Sequence, residues 1–345
     1  MEKTDKSFAV PVSKFDEELA FYDVKNAPFA IYGVFFENGA FRRIPEALAH
    51  QVNPEAIVLH TNTAGGRVKF VTDSTLISVK ATVRNVKHHA HCTLAMTTGF
   101  DLYVGRPEEY RATFLPPADV ENTYISTVQF DIQETREITI NFPHYCDVLS
   151  LEIGLEKDAV LQAAEGYLLV KPIVYYGSSI TQGACASRPG NTYENRIIRE
   201  LPIDYINLGF SGSARGEDSM AEHIAGLDMS VFVYDYDYNA PTVEHLRQTH
   251  ERMFHTVRAK HPDLPVIMLT RPKFRLNSEE IEKRAIVKET YDRAVAGGDR
   301  NVYFIDGPTL MQYAKNDCSV DGAHPNDLGF YSMATVLLEQ LKRIL

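Results

Sequence analysis

Residues 173–183 read IVYYGSSITQG. An apolar run from Ile173 to Tyr176 stops at Gly177 and gives way to small polar residues. A strand that ends in such a loop serves one of two chemistries. Its backbone N–H groups can cradle a phosphate at the helix start that follows. Or one of the two serines, Ser178 or Ser179, can be a nucleophile. Which applies depends on what the rest of the chain brings to the same edge.

Downstream the pattern repeats. Tyr205–Leu208, Val231–Tyr234, Val266–Leu269 and Val302–Ile305 are further apolar runs of strand length, with helical patterns between them. TVEHLRQTHERMFHTVRAKH (242–261) puts Val243, Leu246, His250, Met253, Phe254 and Val257 on one stripe. The segment from Asn277 has Glu280 at capping-box spacing and stops at Gly297-Gly298. The last segment, from Leu328, carries Phe330, Met333, Val336, Leu337 and Leu341 at helical spacing. Strand–helix alternation of this kind predicts an α/β unit, a parallel sheet covered on both faces, over 170–345.

Upstream of about residue 160 the period is two. Ile77, Val79, Ala81 and Val83 alternate with Ser78, Lys80, Thr82 and Arg84. Val128, Phe130 and Ile132 alternate with Gln129 and Asp131, and Ile138, Ile140 and Phe142 with Thr139 and Asn141. Leu149, Leu151, Ile153 and Leu155 share one side. Short alternating strands separated by turns predict an all-β antiparallel sandwich over 1–160, with IPEALAH (44–50) as a short helix. The connector, about 156–171, is only mildly polar.

At 345 residues, two domains are the natural expectation. A net charge of -11 disfavours nucleic acid or an anionic membrane as partner. Cys92, Cys146, Cys185 and Cys318 show neither zinc spacing nor a disulfide framework. The first residues, MEKTDKSFAVPVSKFDEELA, contain no apolar core of a signal peptide, and no apolar run is long enough to span a bilayer. A cytoplasmic protein is expected.

In an open parallel sheet, ligands bind beyond the carboxyl ends of the strands. Four loops reach that edge: GSSITQG (177–183), NLGFSGSARGE (207–217), DYDYNAP (235–241) and DGAHPND (321–327). Asp321 and His324 are three apart, so the carboxylate can orient the ring and stabilise its protonated form. A phosphate cradle has no use for that pair; an acyl-transfer site does. The serine at the helix start can also offer its own N–H to an oxyanion. Gly212 offers an unobstructed N–H and Asn239 an amide, although a turn glycine and a helix cap are their ordinary roles.

Together the four blocks resemble the SGNH (GDSL-type) hydrolases. Gly177-Ser178-Ser179-Ile180 is similar to the family's G-D-S-L block, with Ser for Asp and Ile for Leu, and by position makes Ser179 the nucleophile. Asn207-Leu208-Gly209-Phe210-Ser211-Gly212 resembles the glycine block and gives Gly212. Asp237-Tyr238-Asn239 is a looser form of G-x-N-D and gives Asn239. Asp321-Gly322-Ala323-His324-Pro325 matches D-x-x-H-P in full. TTGFDLYVG (97–105) looks like the Gly-x-Asp-Leu-Tyr signature of a β-sandwich found in front of some of these hydrolases. The resemblance implies a three-layer α/β/α, flavodoxin-like hydrolase domain preceded by a jelly-roll-like sandwich. It implies a triad of Ser179, His324 and Asp321, an oxyanion hole of Ser179, Gly212 and Asn239, and no cofactor or metal. The subgroup is similar to carbohydrate esterases, so the expected substrate is a small-molecule or oligosaccharide ester with a short acyl group.

Other residues carry two readings each. Arg271, after the fourth strand, could contact substrate or form a salt bridge. Asp101 and Tyr103 offer substrate contact or a structural turn. Cys185 and Cys318 lie near triad members, as thiol-sensitive groups or packed side chains. HHAH (88–91) places His89 and His91 on one strand face, where zinc would need a third ligand not evident in the sequence. Three rival functions stay open. They are a flavodoxin-like FMN- or phosphate-binding module, a carbohydrate-binding protein on an inactive esterase fold, and acyl transfer to an alcohol or lipase- or thioesterase-type acyl hydrolysis on the same triad. The sandwich could bind sugar, roof the site, or pair through its edge strands into a homo-oligomer.

Overall fold

The computed structural model describes residues 19–345, and the N-terminal stretch read above lies outside them up to residue 18. The chain forms two compact units. Among the described residues the first comprises 19–42, Thr61–Gly166 and Arg188–Gly190; the second comprises Arg43–His60, Tyr167–Ser187 and Asn191–Leu345. The expected division near 160–170 therefore needs two amendments: 43–60 belongs with the C-terminal unit, and 188–190 with the N-terminal one.

In the first unit, period-two patterning produces two antiparallel sheets. One runs in the order Leu19–Asp23, Asp147–Glu156, Leu76–Arg84, Thr123–Gln129. The other runs Leu161–Gln162, Arg67–Thr72, Arg136–Asn141, Phe100–Val104, Glu109–Phe114, with Ala30–Tyr32 also on Arg67–Thr72. Ile77, Val79 and Ile153 from one sheet share a core with Phe70, Ile138 and Leu102 from the other.

Three details depart from the alternation. A register shift between Val148 and Ser150 puts Val148 into the core and leaves Leu149 half-buried. The ladder from Thr123 ends at Gln129, opposite Leu76, with one further bond from Phe130 N to Thr75 O (2.7 Å); Ile132 lies beyond it and is 65% exposed. HHAH is not in a strand: Asn85, at φ 58°, ends the preceding one, and His89 and His91 sit in irregular chain with rings 5.9 Å apart.

In the second unit five parallel strands stand in the order Ile203–Gly209, Leu169–Gly177, Val231–Asp235, Val266–Leu269, Val302–Ile305. All four neighbouring pairs are parallel. Numbered along the chain, this is the order 2-1-3-4-5, with its switch point beside the first strand. Val174, Tyr176, Phe232, Tyr234 and Met268 face one set of helices, including Val243–Lys260 and Ser278–Ala296. On the alternate positions Tyr175 packs edge-on against Tyr193, which stacks on Phe330 of Asp327–Ile344. Helices therefore cover both faces.

The helix starts follow the sequence: Thr242 accepts from His245 N, Asn277 and Glu280 form a capping box, and Asn326 accepts from Gly329 N. The expected short helix is present at Glu46–Val52, followed by Pro54–Leu59. Ile44, Ala49 and Leu59 are buried in the core under the parallel sheet, which explains why this segment leaves the front unit. Among the described residues no helix is long and apolar enough to cross a membrane.

Candidate active site

The two serines of the loop after the first strand of the parallel sheet have different surroundings. Ser178 is the N-cap of the short helix Ser179–Gln182; its side chain is buried, and its Oγ accepts from Ile180 N at 3.2 Å. Ser179 is the first helical residue, and its Oγ lies 2.9 Å from His324 Nε2. His324 Nδ1 lies 2.8 Å from Asp321 Oδ2. The other Asp321 oxygen accepts from the backbone N–H groups of His324 (2.8 Å) and Ala323 (2.9 Å). Burial pushes the Asp321 carboxyl up, but these backbone donors and the ring outweigh it and hold the group down at about 2. A carboxylate that is ionised at neutral pH therefore faces Nδ1 and leaves Nε2 to share a proton with the serine.

The elements beneath this line fix its geometry. Gly177 is in register with Asp235 on the neighbouring strand, and a Cβ at 177 would collide with the Asp235 carboxylate and the Thr181 hydroxyl. The Thr181 hydroxyl donates to Asp235 Oδ1 at 2.7 Å, and Tyr193 OH donates to Thr181 Oγ1 at 3.3 Å. Burial pushes the Asp235 carboxyl up to about 8; the Thr181 hydrogen bond opposes this and the Asp237 charge adds to it. The His324 loop is anchored through Asp327, which accepts from Ser187 N (2.8 Å), Ser187 Oγ (2.6 Å) and Asn191 Nδ2 (2.9 Å).

The glycine and asparagine loops are tied to the serine helix by hydrogen bonds. Phe210 N donates to Gly177 O and Ser211 N to Gln182 Oε1, both at 2.9 Å. Asn239 Nδ2 donates to Phe210 O at 2.9 Å, which fixes the amide and leaves its second N–H for another acceptor. Gly212 has φ +69°, and nothing stands where its Cβ would be. Beneath the glycine loop lies Arg43, the first residue of the inserted segment. Its guanidinium donates to the carbonyls of Gly209, Leu59 (2.9 Å) and Asn207 (3.4 Å) and stacks 4.6 Å over the Phe210 ring. Asn53 from the same segment donates to Ser213 O at 3.0 Å.

The remaining expected residues fall elsewhere. Arg271 is buried and engaged with Asp237 (3.3 Å) and Glu280 (2.9 Å), with its guanidinium 4.3 Å over Tyr238. It is the salt bridge, and it orders the loop that carries Asn239. Asp101 is buried in the first unit. It accepts from Arg188 and from Gly190 N, both at 2.8 Å, and from Asn141 at 2.8 Å, with Tyr103 OH donating to Gly190 O at 3.3 Å. Both residues hold the segment 188–190 in place. Cys318 is buried with its thiol pushed up by burial, and Cys185 is buried in a turn at φ 71°, so both read as packed side chains. Sequence reasoning missed Asp235, Asp327 and Arg43. Only Asp327 carried a signal, as an acid in the first turn of a helix beginning two residues after Pro325.

Residues 170–342 match the GDSL-like lipase/acylhydrolase family. The chain belongs to that family. This GDSL-like acylhydrolase is accordingly an ester-hydrolysing enzyme of mixed α/β fold. Residues 19–161 match the N-terminal region of SGNH-hydrolase-type esterases. Among solved structures, a Bacteroides ovatus protein described as a GDSL-like lipase superposes with TM-score 0.85 at 28% identity, covering 94% of this chain and 98% of that one. A salicylyl-acyltransferase from a tetracycline biosynthetic pathway superposes with TM-score 0.76 at 17% identity, covering 94% and 97%. A family two carbohydrate esterase from Clostridium thermocellum, in complex with cellohexaose, superposes with TM-score 0.64 at 17% identity, covering 91% and 98%. No curated protein sequence matches the chain.

Proposed function

We propose that this acylhydrolase cleaves short acyl esters, acetyl esters of carbohydrates foremost, through Ser179, His324 and Asp321. The observation that carries the reading is the unbroken chain of contacts from Ser179 Oγ to His324 Nε2 (2.9 Å) and from Nδ1 to Asp321 (2.8 Å). His324 takes the hydroxyl proton as Ser179 Oγ bonds to the ester carbonyl carbon. The tetrahedral oxyanion accepts from Ser179 N, Gly212 N and Asn239 Nδ2. Collapse breaks the bond to the alcohol oxygen, which leaves with the proton from His324. A water, deprotonated by His324, then attacks the acyl-serine, and the acid leaves as Ser179 recovers its proton.

The carbohydrate part of the proposal draws on the likeness to the cellohexaose-bound esterase, and the three-layer flavodoxin-like and jelly-roll-like descriptions of the two units belong to the same reading. Acyl transfer to an alcohol uses the same acyl-serine and is separated by product analysis: added alcohol then yields new ester at the expense of free acid. The phosphate-cradle alternative leaves the Ser179–His324 contact without a role. Ser179→Ala is expected to abolish release of p-nitrophenol from p-nitrophenyl acetate and the acetyl adduct seen by intact mass. Unchanged turnover in that variant would refute the assignment.

A further inference from the structure

The turn that carries Asp321 and His324 also walls a cavity of about 240 Å³. Gly322 and Ser319 line it from this side, with Gly322 N donating to Ser319 Oγ at 2.7 Å; Val320 N donates to His324 O at 2.9 Å. The wall and the base are thus one hydrogen-bonded turn. The opposite wall is the chain after the strand Val266–Leu269, from Pro272 to Arg275.

The charge of this cavity runs against that of the chain. Lys273, Arg275 and Lys315 line it and no carboxylate does, whereas the chain as a whole carries -11. Lys273 Nζ is balanced by Glu280 at 2.8 Å, which also pairs with Arg271. Arg275 and Lys315 are exposed, and among the described residues neither has a carboxylate within ion-pair distance. Lys315 also occupies the left-handed region, φ 49°, a conformation that suits glycine and disfavours lysine. A long cation held there at a conformational cost points to a use for its side chain. Its Nζ lies 5.9 Å from the Phe274 ring, which is 41% exposed and offers a flat apolar platform.

We infer that this cavity is a subsite for an anionic group, a carboxylate or a phosphate, on the alcohol portion of the ester, with the adjoining ring stacked on Phe274. The inference rests on the esterase reading of Ser179 and His324. The Arg275 fork suits the two oxygens of a carboxylate or phosphate, and Lys315 adds a point charge beside it.

The test compares acetylated xylo-oligosaccharides that are neutral, that carry a uronate carboxylate, or that carry a phosphomonoester, assayed for released acetate. The wild type is expected to favour at least one anionic ester over the neutral one by about tenfold in kcat/KM, through KM, and the larger of the two ratios identifies the anion. Arg275→Ala and Lys315→Gly are each expected to lower that ratio several-fold, with Arg275→Lys restoring part of it. Lys315→Gly relieves the backbone while removing the charge, so its Tm should equal or exceed that of the wild type. A ratio near one in the wild type, or a ratio unmoved in Lys315→Gly, overturns the subsite and leaves the esterase reading standing. Hydrolysis of none of the three esters, with p-nitrophenyl acetate still cleaved, overturns the subsite and the carbohydrate substrate; an equal rate on p-nitrophenyl acetate for wild type and Ser179→Ala overturns the esterase reading of Ser179 itself.

Discussion

Replacing Asp235 by Asn tests the packing beneath the short helix Ser179–Gln182. Asp235 is buried at the end of the central strand, and its carboxyl is held at about 8 where an unfolded Asp has 3.8. Below about pH 4 the group is protonated in both states and costs nothing. As pH rises toward 8 the unfolded chain gives up the proton and the folded protein does not. Stability therefore falls by about 1.4 kcal/mol per pH unit across that window. From pH 4 to pH 7 the loss comes to about 4 kcal/mol. Asn has the same shape, can still share a hydrogen bond with the Thr181 hydroxyl, and has no proton to release. The difference in stability between Asp235→Asn and wild type should be near zero at pH 4 and reach about 4 kcal/mol in favour of the variant at pH 7. In Tm this is roughly 10 °C. Urea or thermal melts of both proteins from pH 4 to pH 8 measure it. Parallel curves across that range would mean that Asp235 is ionised in the folded protein at neutral pH, and the burial argument would be wrong.

Two other outcomes follow from the loops around the serine. Asn239→Ala removes one oxyanion donor and should lower kcat on p-nitrophenyl acetate by about 10²–10³ with little change in KM; an unchanged kcat would remove Asn239 from the oxyanion hole. Arg43→Met leaves the Gly209 and Leu59 carbonyls without their buried donor, at about 1–3 kcal/mol each. Its urea midpoint should fall accordingly, and kcat should fall with it as the glycine loop loosens; a native midpoint would show that the loop does not depend on this residue.

The fold was legible wherever one periodicity governed a whole element. The five parallel strands are apolar runs bounded by polar loops, and Thr242, Asn277 and Asn326 cap the helices that follow. The contact between Ser179 and His324 was legible because both lie in short polar loops, one after the first strand of the parallel sheet and one just before the last helix. What escaped was of two kinds. A bulge at Val148 and the end of the strand ladder before Ile132 change which residues face the core without changing the sequence pattern. Arg43 and Asp235 act through partners far along the chain, Gly209 and Thr181, and a buried charge at a strand end looks like any other polar residue until its neighbour is known. Segment 43–60 is apolar enough to join either core, and nothing in its pattern tells which one; only the packing of Ile44, Ala49 and Leu59 does.

That segment interleaves the two units along the sequence. The chain contributes a strut to the hydrolase long before it reaches the hydrolase proper, then returns to complete the sheets of the first unit. A cut at the apparent linker would strip the catalytic half of the arginine under its glycine loop. A hydrolase unit grafted behind a different front unit would need residues 43–60 carried along with it.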